Sequence, residues 1–304
     1  MPGVLRRIVA LALGVAALLG PVSVASAAER VTIRIGYAGP AAEGGRYVSG
    51  PVGVIASERY IERAFADDPA VTVEWSFFKG AGPAVNEALA SGQLDFAFMG
   101  DLPSLTARAA GLQTRILMAT SPRDNLYLVA RPNSGIAAIG DVRGRRVAQF
   151  AEQKKAAIVY STKGNDRGLE RQSALLVTEA FERTHPDLVG KVVKAVVEAA
   201  RWSSDESNRD ALIAVWAKSG TPASVFRYDL ADQELRYRNS PLVDPFFVEQ
   251  YRVQARQAKA FGLIRRDVDV TGWFEPRYVD QAVRELGLER SWERFGPDGK
   301  PLGS

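Results

Sequence analysis

GAGPAVNEALASGQLDFAFMGDLPS (Gly80–Ser104) reads as two successive strand-to-helix turns. Just before it, the apolar run WSFFKG (Trp75–Gly80) ends in glycine, as a buried strand feeding a tight turn does. Gly82 and Pro83 open a helix, because proline at the first helical position gives up an N–H that has no partner there and has its backbone preset. Val85, Ala88 and Leu89 share one face of that helix, and Gly92 is placed to end it in the left-handed conformation. LDFAFMG (Leu94–Gly100) is short and apolar on both faces, the pattern of a strand in a parallel sheet covered by helices. Asp101, Leu102 and Pro103 start a second helix that Gly111 can stop. Two glycine-tipped turns leave backbone N–H groups at the strand ends, where helix dipoles favour negative charge, so the stretch suits a small anion. The competing reading is that these glycines only shape turns.

The chain begins like an export signal. Arg6 and Arg7 precede an apolar core, IVALALGVAALLG, and Ala25, Ser26 and Ala27 supply the small residues of a cleavage site, giving a signal peptide over 1–27. The core is short for a membrane span. Removing Met1–Ala27 takes away two arginines and no acid, which lowers the formal charge from +4 to +2. Basic and acidic residues are interspersed beyond it, so no nucleic-acid partner is expected. The chain has no cysteine, which excludes disulfides, thiol nucleophiles and lipid attachment through an N-terminal Cys. Its one histidine, His185 in ERTHPDLVG, cannot build a zinc site and reads as a surface turn residue.

VTIRIGY (Val31–Tyr37) reads as strand one, PVGVIASERYIERAFAD as a helix, VTVEWSFFKG as strand two, RILMAT (Arg115–Thr120) as a further strand, and LYLVARP (Leu126–Pro132) as the start of another sheet. Alternating β and α elements with short glycine turns argue for parallel sheets with helices on both faces, which hold ligands beyond the carboxyl ends of their strands. DVRGRRVAQF reads as a turn and strand, ALLVTEAF as a strand entering a run of helices, and PFFVEQYRVQARQAKAFGLI and YVDQAVRELGLE as closing helices. Trp202, Trp216 and Trp273 fall in amphipathic or turn segments and read as packing residues.

GYAGP, the Gly80–Ser104 stretch, NLYLVARPNSGI, DVRGRRVAQF and FERTHPDLVGKVVKAVVEAARW, taken with the signal sequence, resemble periplasmic solute-binding proteins of ABC importers, nearest to the nitrate, sulfonate and taurine branch. The resemblance implies an α/β type II periplasmic binding fold: two lobes of parallel or mixed sheet flanked by helices, a small anionic ligand closed between them, no catalysis, no cofactor, a monomer in the periplasm, and delivery to an inner-membrane permease. It divides the mature chain into lobe 1 over 28–122, lobe 2 over 123–180, and a mostly helical part, 181–304, returning to lobe 1. Lobe 2 is about half the family's length here, which we read as a deletion removing one face of the cleft, with a natural reduced variant as the alternative.

Family position and local chemistry converge on ten candidate ligand residues: Tyr37 and Ala38 after strand one, Gly80, Ala81 and Gly82 at the first helix start, Gly100, Asp101 and Ser104 at the second, and Asn125 and Tyr127 at the crossover. Ala81 and Gly82 would donate backbone N–H groups, the glycine allowing close approach. Ser104 donates its hydroxyl or caps the helix. Asp101 sits awkwardly beside an anion and reads as a cap unless the ligand carries an amine. Asn125 orients a ligand oxygen or forms the turn between lobes. Lys154 and Lys155 are a further, weaker anion candidate. The alternatives are a remnant of the family that no longer binds ligand, and an enzyme like the pyrimidine-precursor synthases of the same fold, which the missing cysteines and the single histidine disfavour.

Overall fold

Ile33, Ile35 and Tyr37 alternate along β1 (Val31–Ala38) and all turn into the core, the period-2 pattern of a strand with one face covered. β1 pairs in parallel with β2 (Val71–Phe78), Val31 opposite Val71 and Ala38 opposite Phe78, so Val73, Trp75 and Phe77 join the same face. A computed structural model describes residues 30–38, 48–78, 82–147, 157–164 and 167–303. Gly80, Ala81, Lys154 and Lys155 lie outside the described residues.

The remaining strands of the main sheet are β3 (Phe96–Gly100), β4 (Thr114–Ala119) and β7 (Ser173–Thr178), in the order β2-β1-β3-β7-β4. β3 runs parallel to β1, whereas β7 is antiparallel to both β3 and β4, which makes the sheet mixed. Ala174, Leu175, Leu176 and Val177 of β7 are fully buried, because this strand is central and covered on both faces. The chain therefore re-enters the main sheet at Ser173, inside the 123–180 segment expected to form the second lobe. What stands apart from the main sheet is a two-stranded antiparallel ribbon, β5 (Tyr127–Ala130) with β6 (Ala157–Ser161).

Two helices, α1 (Pro51–Ser57) and α2 (Tyr60–Ala64), occupy the segment expected to be one. The break falls at Arg59, whose left-handed backbone (φ 53°) cannot continue a right-handed helix. α3 (Gly82–Ala90) follows β2 and α4 (Asp101–Ala109) follows β3. After β7 come α5 (Glu179–Thr184), capped by Thr178 Oγ1 accepting from the Phe181 N–H at 3.3 Å, and α6 (Pro186–Ser204). His185, half-buried, joins the two, its ring 4.9 Å from Phe181. Val189, Val192, Val193, Val196 and Val197 form the buried stripe of α6, which packs against α2 and against α11 (Arg277–Glu285). α7 (Arg209–Ala217), α8 (Ala223–Leu230), α9 (Leu235–Arg238) and α10 (Pro245–Ala260) complete the helices. Trp216 and Trp273 are core residues and Trp202 packs against the core, as their spacing suggests. DVRGRRVAQF shows no strand over its described part: Ile139–Val142 is a 3-10 turn and residues 143–147 are a further turn. No described helix is long and apolar enough to cross a membrane.

Candidate functional site

The carboxyl ends of β1, β2 and β3 bring Ala38, Phe78 and Gly100 to one edge of the sheet, and α3 and α4 both begin there. The two helix starts are stapled together. Asn86 Nδ2 on α3 donates to the Pro103 carbonyl at 3.1 Å and to Thr106 Oγ1 at 3.4 Å on α4. Gly82 lies so close to α4 that a Cβ built on it would sit 2.2 Å from Pro103 Cβ. The close approach this glycine permits is therefore that of a neighbouring helix. Gly82→Ala is expected to lose roughly 1–3 kcal/mol by overpacking this seam. Urea unfolding checks it, and wild-type stability in the variant would show that the two helix starts do not meet so tightly.

The second helix start satisfies itself. The Asp101 N–H donates to the Gln172 carbonyl at 3.0 Å, the Leu102 N–H is taken by Asp101 Oδ1 at 2.7 Å, and Pro103 has none. Asp101 Oδ2 accepts from the Gln172 N–H at 2.9 Å and from Gln254 Nε2 at 2.6 Å. Burial pushes this carboxyl above the usual range while those donors hold it down. Gly100 is the N-cap of α4 and Asp101 its first residue, and the Asp101 carboxylate, holding the Leu102 N–H, places a negative charge at this helix start. Ser104 is fully buried and its hydroxyl donates back to the Gly100 carbonyl at 2.7 Å, whereas Gly100 itself is half-buried. Tyr37 is also withdrawn: its ring is buried edge-on against Trp75 and Phe77, with centroids 5.7 and 5.4 Å away. Half-buried Ala38 and Gly100 and the start of α3 are what this edge still offers among the described candidates.

At the crossover, the two expected ligand residues are fasteners. Asn125 Nδ2 donates to Asp229 Oδ1 at 2.9 Å, and Tyr127 OH donates to the same oxygen at 2.7 Å. Burial, reinforced by Asp229, pushes the Tyr127 phenol well above its ordinary pKa. Asp229 lies in the last turn of α8, so these bonds tie the crossover to the helical part of the chain.

Around them lies a buried charge network that sequence reasoning missed. Arg123 Nη2 reaches Asp244 Oδ2 at 3.3 Å, with side chains only 3% and 1% exposed. Asp124 is held by Arg171, by Arg238 Nη2 at 2.8 Å and by Ser121 Oγ at 2.5 Å. Burial works to raise the Asp124 pKa, but Arg238 and Arg171 overcome it and the carboxyl ends below its usual range. Arg238 Nη1 also donates to the Arg123 carbonyl at 2.7 Å. Glu170, 3% exposed, accepts from Tyr237 OH at 3.3 Å, and burial pushes its carboxyl up to about 7 against the pull of Arg123. The available signal was SPRDN, an ion-pair dipeptide set directly before an apolar strand.

A five-stranded mixed sheet continued by a crossover into a separate ribbon, with helix starts gathered at its carboxyl edge, has solved counterparts. The sulfonate ABC transporter periplasmic protein SsuA of Methylobacillus flagellatus KT superposes with a TM-score of 0.77 at 22% identity, covering 88% of this chain and 98% of that one. The fold is that of the periplasmic substrate-binding proteins. The alkanesulfonate-binding SsuA of Xanthomonas axonopodis pv. citri, solved with MOPS, shares this periplasmic-binding fold at a TM-score of 0.64 and 18% identity, covering 82% of this chain and all of that one (100%). The desulfurization enzyme DSZB shares it too, at 0.62 and 14% identity, covering 84% of this chain and 100% of that one. In sequence, residues 73–211 match the family described as ABC transporter, phosphonate, periplasmic substrate-binding protein. An aliphatic sulfonates-binding protein of Escherichia coli (strain K12) is 30% identical over 148 residues, 47% of this chain and 42% of that protein. The match thus spans less than half the length of this curated relative.

Proposed function

We propose that this chain is the extracytoplasmic solute-binding component of an ABC importer and captures a small organic anion with a sulfonate head group for an inner-membrane permease. The observation that carries the reading is the agreement of sequence kinship to an aliphatic sulfonates-binding protein with the helix starts at the carboxyl edge of the sheet. Because the Asp101 carboxylate already places negative charge at the start of α4, the anion belongs at the start of α3, beside Ala38. Taurine and nitrate are weaker candidates than an aliphatic sulfonate. The carboxylate that would pair with the taurine amine, Asp101, is already engaged by three donors. The protein works as a monomer in the periplasm after loss of residues 1–27, and it binds its ligand without turning it over, as a solute-binding component does.

A thermal-shift screen of the mature chain, Ala28 onward, against alkanesulfonates, taurine and nitrate tests this. A ligand at a hundred times its Kd adds about 2.7 kcal/mol, a shift of several degrees for a chain of this size. A selective shift with alkanesulfonates is the expected result. A cooperative melt that none of them moves would overturn the reading and leave a folded first lobe without a working cleft.

A further inference from the structure

The β5–β6 ribbon is not held in place by burial. Of its strand residues only Ala130 is buried, and no other described helix or strand packs extensively against either strand. Leu126, just ahead of β5, and Ile158 in β6 are each 45% exposed. A two-stranded ribbon with no apolar face set on a core is marginal in water, so its position needs another cause.

That cause lies in the last turn of α8, where two consecutive residues, Tyr228 and Asp229, hold the two arms of the ribbon. On the outgoing arm, the Tyr127 hydroxyl donates to Asp229 Oδ1 at 2.7 Å, and its ring lies 6.2 Å from that of Tyr228. On the returning arm, Lys163 Nζ donates to the Tyr228 carbonyl at 2.6 Å and sits 5.1 Å from the centre of the Tyr228 ring. Asp229 is itself held from the other side, Arg238 Nη2 reaching its Oδ2 at 3.1 Å. The arms meet each other at the same level: the Leu126 N–H donates to Thr162 Oγ1 at 2.9 Å and the Thr162 N–H to the Leu126 carbonyl at 3.1 Å. Nearer the main sheet the crossover has different partners. Arg123 is held by Asp244, Asp124 by Arg171 and Arg238, and Arg167 Nη1 donates to the Gly299 carbonyl at 3.1 Å. The restraints therefore fall into two sets, one at the root of the crossover and one on the ribbon itself.

We propose that Tyr228 and Asp229 form a latch that fixes the orientation of the ribbon against the main sheet, and that opening it lets the ribbon swing about an intact crossover. The two sets differ in what they cost to break. Separating Arg123 from Asp244 strands a buried charge, so the root stays closed. The latch donors, Tyr127 and Lys163, are only half-buried, and water replaces their partners when they let go. Motion therefore follows the weaker set, the ribbon moving while the root holds. The latch stands on the geometry of the crossover alone and holds whether or not the sheet edge binds a sulfonate.

Because the chain has no cysteine, the parent I158C/E198C carries two spin labels without competitors, one at an exposed position of β6 and one on the exposed face of α6. Double electron–electron resonance on the purified protein then reads the distance from ribbon to core. The parent should give one narrow distance. Y127F/K163M removes both donors while keeping the ring and the aliphatic stem, and should broaden the distribution roughly twofold or add a second distance. R167Q, which cuts a bond at the root only, should leave the distribution as in the parent. K163M alone changes one half-buried side chain and should give part of the broadening, which keeps the test open if the double variant loses its cooperative melt. An unchanged distribution in Y127F/K163M and K163M would overturn the latch. So would a parent distribution already as broad, or equal broadening by R167Q, which would place the restraint at the root.

Discussion

Arg123→Ala is expected to lower stability by about 3–5 kcal/mol, the cost of leaving a buried partner charge uncompensated. The partner is Asp244, whose side chain is 1% exposed and whose oxygens also accept from the Phe247 and Phe295 N–H groups at 2.8 and 3.1 Å. Those two bonds hold the carboxylate in place after the arginine is gone, so it cannot swing out to water. Arg123 does more than neutralise it. Its guanidinium lies against the rings of both Tyr237 and Phe295, 4.5 and 4.6 Å from their centroids, and donates to the Tyr237 carbonyl at 2.8 Å. Truncation therefore loses packing as well as charge. For a chain of this length the expected fall in Tm is roughly 10 °C. Asp244→Ala made in the Arg123→Ala background should recover part of the loss, because it removes the orphaned charge. Guanidinium unfolding of the four proteins measures the cycle. A single-variant loss under about 1 kcal/mol would mean that the pair is hydrated, at odds with its burial.

The location of that network explains what the sequence could and could not reveal. Strands β1 to β4 and the starts of α3 and α4 were legible because their signals are local: period-2 alternation, apolar runs, and glycine or proline at the turns. The break between α1 and α2 was not, since the apolar pattern runs through Arg59 and only its left-handed backbone interrupts the helix. At Gly100–Ser104 the motif was read correctly as a helix start, but not its occupant. The donors that fix Asp101 come from Gln172 and Gln254, far along the chain, and nothing near Asp101 announces them. The same holds at the crossover. Asn125 and Tyr127 look like ligand groups until Asp229 arrives from α8, and the partners of Arg123 and Asp124, Asp244 and Arg238, lie more than a hundred residues away. β7 was legible as a strand, whereas its place between β3 and β4 depends on a chain path that the short crossover segment does not encode.

Glu170 makes the same network a source of pH dependence. Its carboxyl sits near 7 in the folded protein, raised by burial from 4.5, and Arg123, Arg238, Arg167 and Tyr237 face it. Between pH 4.5 and 7 the folded state keeps a proton that the unfolded state has released. Stability from this group must then fall as pH rises through that window and level off above it. At about 1.36 kcal/mol per unit, the full span comes to roughly 3 kcal/mol. Asp124 acts in the opposite sense and elsewhere on the scale: its carboxyl is depressed below 3.8, so its contribution is present above that value and lost only on acidification through the depressed pKa. Asp101 and Asp244 are raised by burial like Glu170, which is why the bare pH profile of the wild type is not decisive. The difference between wild type and Glu170→Gln is, because the amide mimics the protonated acid and cancels the other groups. Near pH 4.5 the two proteins should unfold at the same denaturant concentration. By pH 8 the variant should be the more stable by up to about 3 kcal/mol. Parallel stability curves across that range would show that Glu170 is already ionised in the folded state and that Arg123, shared with Asp244, neutralises both carboxylates.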